Sequence, residues 1–405
     1  MTKRNLSALL LLVVFAFAAG CQAAVPPSAA PTPTPVHTPT APPAPTPTPT
    51  PDPVGEALAA MTTEEKVGQL LIAGFYETQA GEEARRYIQD CHVGGLILYG
   101  RNVESARQLT DLTNGLKALA GDIPLFLSTD QEGGVVERMP PEVRNLPNAY
   151  DVADAAVFGE VLGAECAAFG VNMDFAPSLD IWSNPDNTVI GKRAFGSDAE
   201  TVERRGLDGL NAMEGTGTIP VVKHFPGHGD TVVDSHVGLP VVDKTREELS
   251  AKELIPFQTA IDAGAPAIMV GHILLTKLDP ERPATLSAEV VTGLLREELG
   301  FDGVVVTDDL TMGAITQQYG LGEAAVLAVE AGCDVLLVCH EAGTVEEVYA
   351  ALLDAVDTGR ITEDRLDQSV RRILSLKGDF GLTSDPVDLP DLDALNDQVA
   401  AVTAG

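Results

Sequence analysis

Short apolar runs alternate along the chain with longer segments of mixed polarity. Eight of these runs are five or six residues long and lack a polar face, which is typical of strands buried on both sides of a parallel sheet. We predict strands at residues 70–75, 94–99, 124–129, 171–176, 219–224, 267–272, 303–307 and 334–339.

The segments between these runs carry apolar residues at helical spacing. Predicted helices cover residues 62–69, 82–90, 104–120, 152–169, 199–213, 246–263, 288–299, 322–331, 344–356 and 363–377. Eight successive strand–helix units indicate an α/β protein with a single (β/α)8 TIM-type barrel, over residues 54–380. A doubly wound open sheet would also alternate, but no Gly-rich phosphate-binding turn follows the first strand.

The first 53 residues have a different character. Lys3 and Arg4 precede an apolar run at 9–19 that is short for a membrane span, so residues 1–20 are predicted to be a signal peptide. The run ends in Ala-Ala-Gly-Cys at 18–21, which is similar to a bacterial lipobox and would leave Cys21 as the lipid-bearing first residue. An ordinary signal peptide is the alternative. We expect an exported protein that is lipid-anchored to the bacterial membrane or envelope via Cys21.

Residues 21–53 are predicted to be a Pro/Thr-rich linker, because residues 24–53 are almost wholly Pro, Thr and Ala and cannot build a core. A disordered, extended tether is predicted, with a reach on the order of 90 Å at roughly 3.1 Å per residue. It would hold the barrel away from a membrane. Residues 381–405 are predicted to be a C-terminal tail.

Composition narrows the classes of partner. A formal net charge of −33 excludes nucleic acid, because no basic surface could neutralise phosphates. Hydrophobic residues make up 45% of the chain, enough for a large core. Cys91, Cys166, Cys333 and Cys339 lack metal-type spacing, so buried thiols are favoured over a disulfide framework.

Polar residues follow several of the predicted strands, at the end of a barrel where active sites lie. They are Asp130 after the third strand, Arg193 after the fourth, Lys223 and His224 at the fifth, His272 at the sixth, and Asp308 and Asp309 at the seventh. Each has a structural explanation by itself, since Asp caps helices and His packs in cores. Their shared position predicts one site.

The loop after the fifth strand concentrates histidines. His224 and His228 are four residues apart, but Pro226 and Gly227 disfavour a helix, so a zinc pair is not expected. No metal or cofactor is predicted. His236 instead follows Asp234 by two residues, a pattern suited to proton transfer.

Six motifs make the chain recognisable. They are Thr-Asp-Gln-Glu-Gly-Gly at 129–134, Asn-Met-Asp-Phe-Ala-Pro at 172–177, Val-Ile-Gly-Lys-Arg-Ala-Phe-Gly at 189–196, Lys-His-Phe-Pro-Gly-His-Gly-Asp-Thr at 223–231, Asp-Ser-His at 234–236 and Thr-Asp-Asp-Leu-Thr-Met at 307–312. Over roughly residues 55 to 380 the chain resembles glycoside hydrolase family 3. It looks most like the bacterial β-N-acetylglucosaminidase (NagZ-type) branch.

The resemblance implies a retaining hydrolase that removes terminal β-linked N-acetylglucosamine, with peptidoglycan fragments as one source. Asp308 would be the nucleophile, and His236 paired with Asp234 would be the acid/base. The sugar would be bound by the residues at the other matching positions, which are Asp130, Arg138, Arg193, Lys223 and His224.

Other positions have secondary expectations. His228 and Asp230 are expected to hold the loop's shape, and His272 either forms a wall or packs in the core. Trp182 could stack on a neighbouring sugar. The chain departs from many relatives at Val135, where they carry Arg, and at Ala194 and Thr307, where they carry Ser.

Two other functions stay open. A phosphorylase would use phosphate in place of water, and a neutral His would repel that anion less than a carboxylate. A carbohydrate-binding lipoprotein without activity would lack the nucleophile or dyad, which are present here. We expect a monomer whose partner is an oligosaccharide containing N-acetylglucosamine.

Overall fold

The eight predicted strands all form, and together they close into a parallel barrel. The computed structural model describes residue 30 and residues 52–231, 233–235 and 238–404. The strands are β1 (Leu71–Gly74), β2 (Gly95–Leu98), β3 (Phe126–Thr129), β4 (Met173–Asp174), β5 (Ile219–Phe225), β6 (Ala267–Val270), β7 (Val304–Asp309) and β8 (Val335–Val338). Each pairs with its predecessor in sequence, and β8 closes the ring against β1 with Leu336 beside Leu71. The TIM-barrel prediction is confirmed.

The apolar runs form strands because the ring buries both of their faces. All four residues of β1, β2 and β8 are buried, and the surrounding helices cover the outer side. Gly74 permits the closing contact between β1 and β8, since a Cβ there would lie 2.2 Å from the Cys339 carbonyl oxygen. The carboxyl ends of all eight strands therefore face one end of the barrel.

Helices connect the strands, as the periodicity predicted. Their bounds are Pro53–Ala60, Thr63–Gln69, Glu82–Gln89, Ala106–Lys117, Ala155–Ala168, Ala199–Glu214, Arg246–Ser250, Ile255–Asp262, the π-helix Glu289–Glu298, Gly313–Thr316, Leu321–Ala331, Thr344–Asp357, Glu363–Asp379 and Leu392–Ala404. Thr62 and Glu65 form a reciprocal cap at the start of the second helix.

One helix prediction was wrong in extent. Residues 246–263 form two helices rather than one, and Pro256 lies in the first turn of the second. A helix cannot run unbroken through Pro256, because proline has no N–H to donate and its ring clashes with the carbonyl four residues earlier. The tail predicted at 381–405 contains the helix Leu392–Ala404, which buries Val399 and Val402 in a cluster with Phe158.

The four cysteines at positions 91, 166, 333 and 339 are buried free thiols, as expected. Among the described residues, no helix combines the length and apolarity needed to cross a bilayer. The same part of the chain holds no group of three or more His, Cys, Asp and Glu side chains arranged to bind a metal. The predicted signal peptide, Cys21 and the tether up to Pro51 lie outside the described residues, apart from Ala30.

Candidate active site

A cavity of about 500 Å³ opens at the carboxyl ends of the strands. It is lined by every expected sugar-binding residue and by the expected nucleophile: Asp130, Arg138, Arg193, Lys223, His224 and Asp308. Asp234 is not among its lining residues, although the next residue, Ser235, is. His236, the expected acid/base, lies outside the described residues.

A larger cavity, of about 640 Å³, lies at the opposite end of the barrel beside the helix Glu363–Asp379. Its arginines are engaged in ion pairs, Arg371 with Asp52 at 3.1 Å and Arg372 with Asp302 at 2.9 Å. None of the strand-end residues reaches it. Size alone therefore does not identify the site, and the smaller cavity is the candidate.

A buried ion network forms one wall of this cavity. Lys223 Nζ lies 2.6 Å from both Asp130 Oδ1 and Glu132 Oε1, and its side chain is 1% exposed. Arg193 grips Glu132 with two parallel hydrogen bonds, Nε to Oε2 and Nη2 to Oε1, each 2.7 Å long. Such bidentate, charge-assisted pairs fix side chains with little freedom.

The network also fixes its own charges. Burial alone would lower the pKa of Lys223, but Asp130 and Glu132 outweigh it and raise that pKa. Burial would likewise raise the pKa of Glu132, yet Arg193 and Lys223 hold it well below its usual range. These groups therefore stay ionised across neutral pH and present constant donors and acceptors at this wall of the cavity.

His224 is oriented by Asp180, a residue that the sequence analysis did not single out. Its Nδ1 lies 2.6 Å from Asp180 Oδ2, and Asp180 Oδ1 accepts a 2.6 Å bond from the backbone N–H of His228. Burial would raise the pKa of Asp180, but the two histidines outweigh it and hold that pKa at about 2. The ionised Asp180 fixes the ring of His224 at the cavity wall.

The loop after β5 begins with firm anchors. His228 Nδ1 lies 2.8 Å from Thr231 Oγ1, and Asn187 Nδ2 donates to the His228 carbonyl at 2.8 Å. Asp230 accepts from Ser183 Oγ at 3.1 Å. These contacts agree with the expectation that His228 and Asp230 hold the loop's shape.

The far side of the loop is anchored at Ser235. Its hydroxyl lies 3.3 Å from His228 Nε2, and its carbonyl accepts a 3.1 Å bond from the backbone N–H of Ala314. Ala314 belongs to the segment that follows Asp308 in sequence. The residue directly before His236 is thus held at the cavity, beside the chain that carries the expected nucleophile.

Asp308 and Asp309 have different surroundings at the end of β7. Asp308 is half-buried and lines the cavity, and its Oδ1 accepts a 2.9 Å bond from the Asp309 N–H. Asp309 is buried and accepts bonds from Thr311 and from the Cys339 N–H. Both residues line the cavity, but the Asp309 carboxylate is occupied in tying β7 to β8, whereas Asp308 lies at the position expected for the nucleophile.

The structure also shows the surroundings of His272 and Trp182. His272 is fully buried, with its ring nitrogens 2.7 Å from Thr285 Oγ1 and 2.9 Å from the Asp309 carbonyl, so the packed alternative is confirmed. Trp182 packs edge-on against Tyr150 at 5.7 Å and is not among the residues that line the cavity.

Arg138 reaches the cavity from the loop after β3. Its Nη1 donates to the Glu137 carbonyl at 3.0 Å, whereas its Nε is buried without a hydrogen-bond partner among the described residues. Gln131 secures this loop, since its Oε1 accepts from the Arg138 N–H at 2.8 Å and its Nε2 donates to Glu165 at 2.7 Å. Arg138 Nε therefore keeps an unused hydrogen-bond donor in the wall of the cavity.

Sequence reasoning missed four residues at this site: Tyr99, Glu132, Asp180 and His340. Glu132 stands two residues after Asp130 in a quoted motif, so it could have been found there. His340 follows β8 just as Asp308 ends β7, and the strand-end rule applied to the eighth strand would have found it. Asp180 left no comparable signal, because its partner His224 is distant in sequence.

The fold and the cavity define a TIM barrel with a carboxylate at the end of its seventh strand that faces a charged cavity. The chain matches the model of the glycosyl hydrolase family 3 N-terminal domain over residues 62–376. It belongs to that family, as the motifs predicted.

Several known proteins and solved structures are similar to this chain. The chain is 35% identical to beta-hexosaminidase A of Pseudoalteromonas piscicida, over 80% of this chain and 57% of that protein. It is 34% identical to beta-hexosaminidase LpqI of Mycobacterium tuberculosis, over 79% of this chain and 84% of that protein. A family 3 beta-N-acetylglucosaminidase structure from Paenibacillus shares 44% identity with a TM-score of 0.79, covering 85% of this chain and 68% of that one. This chain thus spans little more than half of the Pseudoalteromonas protein.

Proposed function

We propose that this protein is a retaining β-N-acetylhexosaminidase that releases terminal, non-reducing, β-linked N-acetylglucosamine. The observation that carries the proposal is the position of Asp308, at a strand end, in the same cavity as a buried set of charged sugar-binding groups. The similarity to beta-hexosaminidases supports the choice of sugar.

In the proposed reaction, the ion network and Arg138 hold the sugar with its anomeric carbon against Asp308. A carboxylate oxygen of Asp308 forms a bond to that carbon while the bond to the leaving oxygen breaks. His236, oriented by Asp234, gives its proton to the leaving oxygen. It then takes a proton from the incoming water, whose oxygen bonds to the anomeric carbon and releases Asp308.

The roles of Asp234 and His236 rest on the sequence resemblance and on the anchoring of Ser235 between them. A histidine suits both halves of the reaction, since it donates and recovers a proton near neutral pH. Closure of a loop over the sugar would complete the site only when substrate is bound.

The test is to replace Asp308 by Asn and to measure turnover of an aryl N-acetylglucosaminide. Turnover should fall by at least about 1,000-fold, because no covalent intermediate can form. Asp302→Asn is the matched control, since Asp302 precedes the same strand at its other end and is exposed. Full activity in Asp308→Asn would refute the assignment. Faster turnover with added phosphate, yielding sugar 1-phosphate, would favour a phosphorylase.

We also propose that the protein acts outside the cytoplasm as a lipoprotein held through Cys21, with cell-wall fragments as its substrate. The apolar leader, the Ala-Ala-Gly-Cys segment and the Pro/Thr-rich tether support this location. Replacing Cys21 by Ala should move the protein from the membrane to the soluble fraction. An unchanged distribution would count against lipid anchoring.

A further inference from the structure

His340 lines the cavity, yet the proposed reaction gives it no role. Its Nδ1 lies 2.8 Å from Asp309 Oδ2, and its side chain is 47% exposed. Asp309 is itself held by Thr311 and by the Cys339 N–H. In the tautomer whose Nδ1 carries the proton and donates to Asp309, Nε2 is the acceptor nitrogen of the ring and is available to another group.

The backbone next to His340 is strained, and several hydrogen bonds hold this segment in its strained conformation. Glu341 has a φ of 66°, in the left-handed region that a side chain such as Glu rarely adopts. Thr344 Oγ1 lies 2.8 Å from the carbonyl oxygens of both His340 and Glu341, and the Glu341 N–H donates to Tyr76 Oη at 3.2 Å. Strain that several contacts maintain is concentrated at functional sites.

Tyr99 packs against His340 and completes this side of the cavity. The two rings lie 5.3 Å apart at 47°, and the Arg101 guanidinium stands 4.5 Å from the centre of the Tyr99 ring. Arg101 also donates to the carbonyls of Phe75 and Cys339, at 2.9 and 2.8 Å. We call Tyr99 and His340 the aromatic flank; it is tied to the ends of β1 and β8.

The order of strands places the aromatic flank relative to a bound sugar. β3, which leads to Asp130, and β7, which carries Asp308, stand opposite each other in a ring of eight. A sugar that spans them has one edge toward β4 and β5, where the ion network lies, and the other toward β8, β1 and β2. C2 adjoins the anomeric carbon, and β8 adjoins β7, so the C2 substituent can meet the aromatic flank.

The two sides offer different chemistry. The ion network presents charged groups, which suit hydroxyls. Tyr99 and His340 both line the cavity, so the aromatic flank offers apolar ring surface that suits a methyl group and one ring nitrogen that suits an N–H, the two features of an acetamido group. We propose that His340, oriented by Asp309, binds the 2-acetamido group and sets the preference for 2-acetamido sugars over 2-hydroxyl sugars. This inference rests on the proposed function.

The experiment compares 4-nitrophenyl 2-acetamido-2-deoxy-β-glucoside with 4-nitrophenyl β-glucoside, which differ only at C2. His340→Ala should lower kcat/KM for the acetamido substrate by about tenfold, the loss of one well-placed hydrogen bond, and change the glucoside by less than about twofold. His340→Asn should recover part of the preference, because its amide can donate to Asp309 and still offer an acceptor. Circular dichroism and Tm establish that both variants fold.

His92→Asn is the matched control. His92 also has a left-handed backbone, with a φ of 53°, but it precedes β2 at the other end of the barrel. His92→Asn should leave kcat/KM unchanged for both substrates. Equal losses on both substrates in His340→Ala, or a preference that survives there, would overturn the inference alone. A wild-type enzyme that prefers the glucoside would overturn the proposed function and the inference together.

Discussion

Glu132 is the residue on which the ion network depends most. It is 5% exposed and contacts Arg193 and Lys223, which are 13% and 1% exposed. Glu132→Gln keeps the shape of the side chain but removes the charge that holds two buried cations. Breaking a buried pair by neutralising one partner costs about 3–5 kcal/mol, and here Arg193 would stay buried without its carboxylate partner while Lys223 would keep only Asp130.

The expected result is a lower Tm and weaker substrate binding. At about 2 °C per kcal/mol for a large domain, thermal unfolding should move down by roughly 6–10 °C. Because Arg193 and Lys223 lose their fixed positions, kcat/KM should fall by at least about tenfold, mainly through KM. Thermal melts and steady-state kinetics on an aryl N-acetylglucosaminide measure the two effects.

Glu323→Gln provides the matched control for Glu132→Gln. Glu323 forms the same two-pronged contact with Arg360, at 2.6 and 2.7 Å, but both side chains are exposed to solvent. An exposed pair of this kind contributes about 0–1 kcal/mol, so Tm should change little. Similar losses in the two variants would show that burial does not decide the effect.

A double-mutant cycle tests the pairing itself. Arg193→Met should lower the free energy of unfolding by about 2–3 kcal/mol less in the Glu132→Gln variant than in the wild type. In the variant the Arg193 guanidinium is already unpaired, so the substitution removes a destabilising buried charge. Additivity within about 0.5 kcal/mol would refute the reasoning, since it would mean that the two side chains do not stabilise one another.

Two further predictions concern proton transfer and pH. His236→Gln should lower kcat/KM far more for poor leaving groups than for activated aryl ones; equal losses would argue against proton donation. Lys377 is buried, with Nζ 2.8 Å from Gln69 Oε1, and burial lowers its pKa to about 7 from an ordinary 10.5. The folded state therefore binds fewer protons than the unfolded state between these values, so stability should rise with pH from about 7 to 10.5. Lys377→Met should remove this rise in denaturant titrations, and parallel curves for the two proteins would contradict it.

The sequence predicted the barrel because its strands can be recognised from local sequence alone. Each apolar run has the length of an ordinary strand and no polar face, so the strands could be found without knowledge of their tertiary contacts. The rule that sites lie at strand ends then found Asp130, Lys223, His224 and Asp308, all of which line one cavity. For these residues, the positions identified from the local sequence pattern are the ones that the barrel brings together.

The rest depended on contacts between distant parts of the chain. The pairing of Glu132 with Arg193 joins residues 61 positions apart, and that of His224 with Asp180 joins residues 44 apart. The helix Leu392–Ala404 likewise gains its burial from packing against Phe158 and its neighbours. No local pattern specifies such partners, because each side chain alone is compatible with solvent exposure.

The two halves of the site are held by different means, and this bears on how the enzyme should respond to pH. On the sugar-binding side, ion pairs among buried groups fix the charges of Glu132 and Lys223 across neutral pH. On the side of the proposed proton transfer, Ser235 is held by hydrogen bonds with His228 and Ala314 rather than by ion pairs. The contribution of the ion network to binding should therefore vary little with pH near neutrality, whereas turnover should follow the titration of the proposed acid/base group. In the proposed reaction the charged groups at the strand ends would bind the sugar with a constant charge, and the loop after β5 would carry the step that depends on pH.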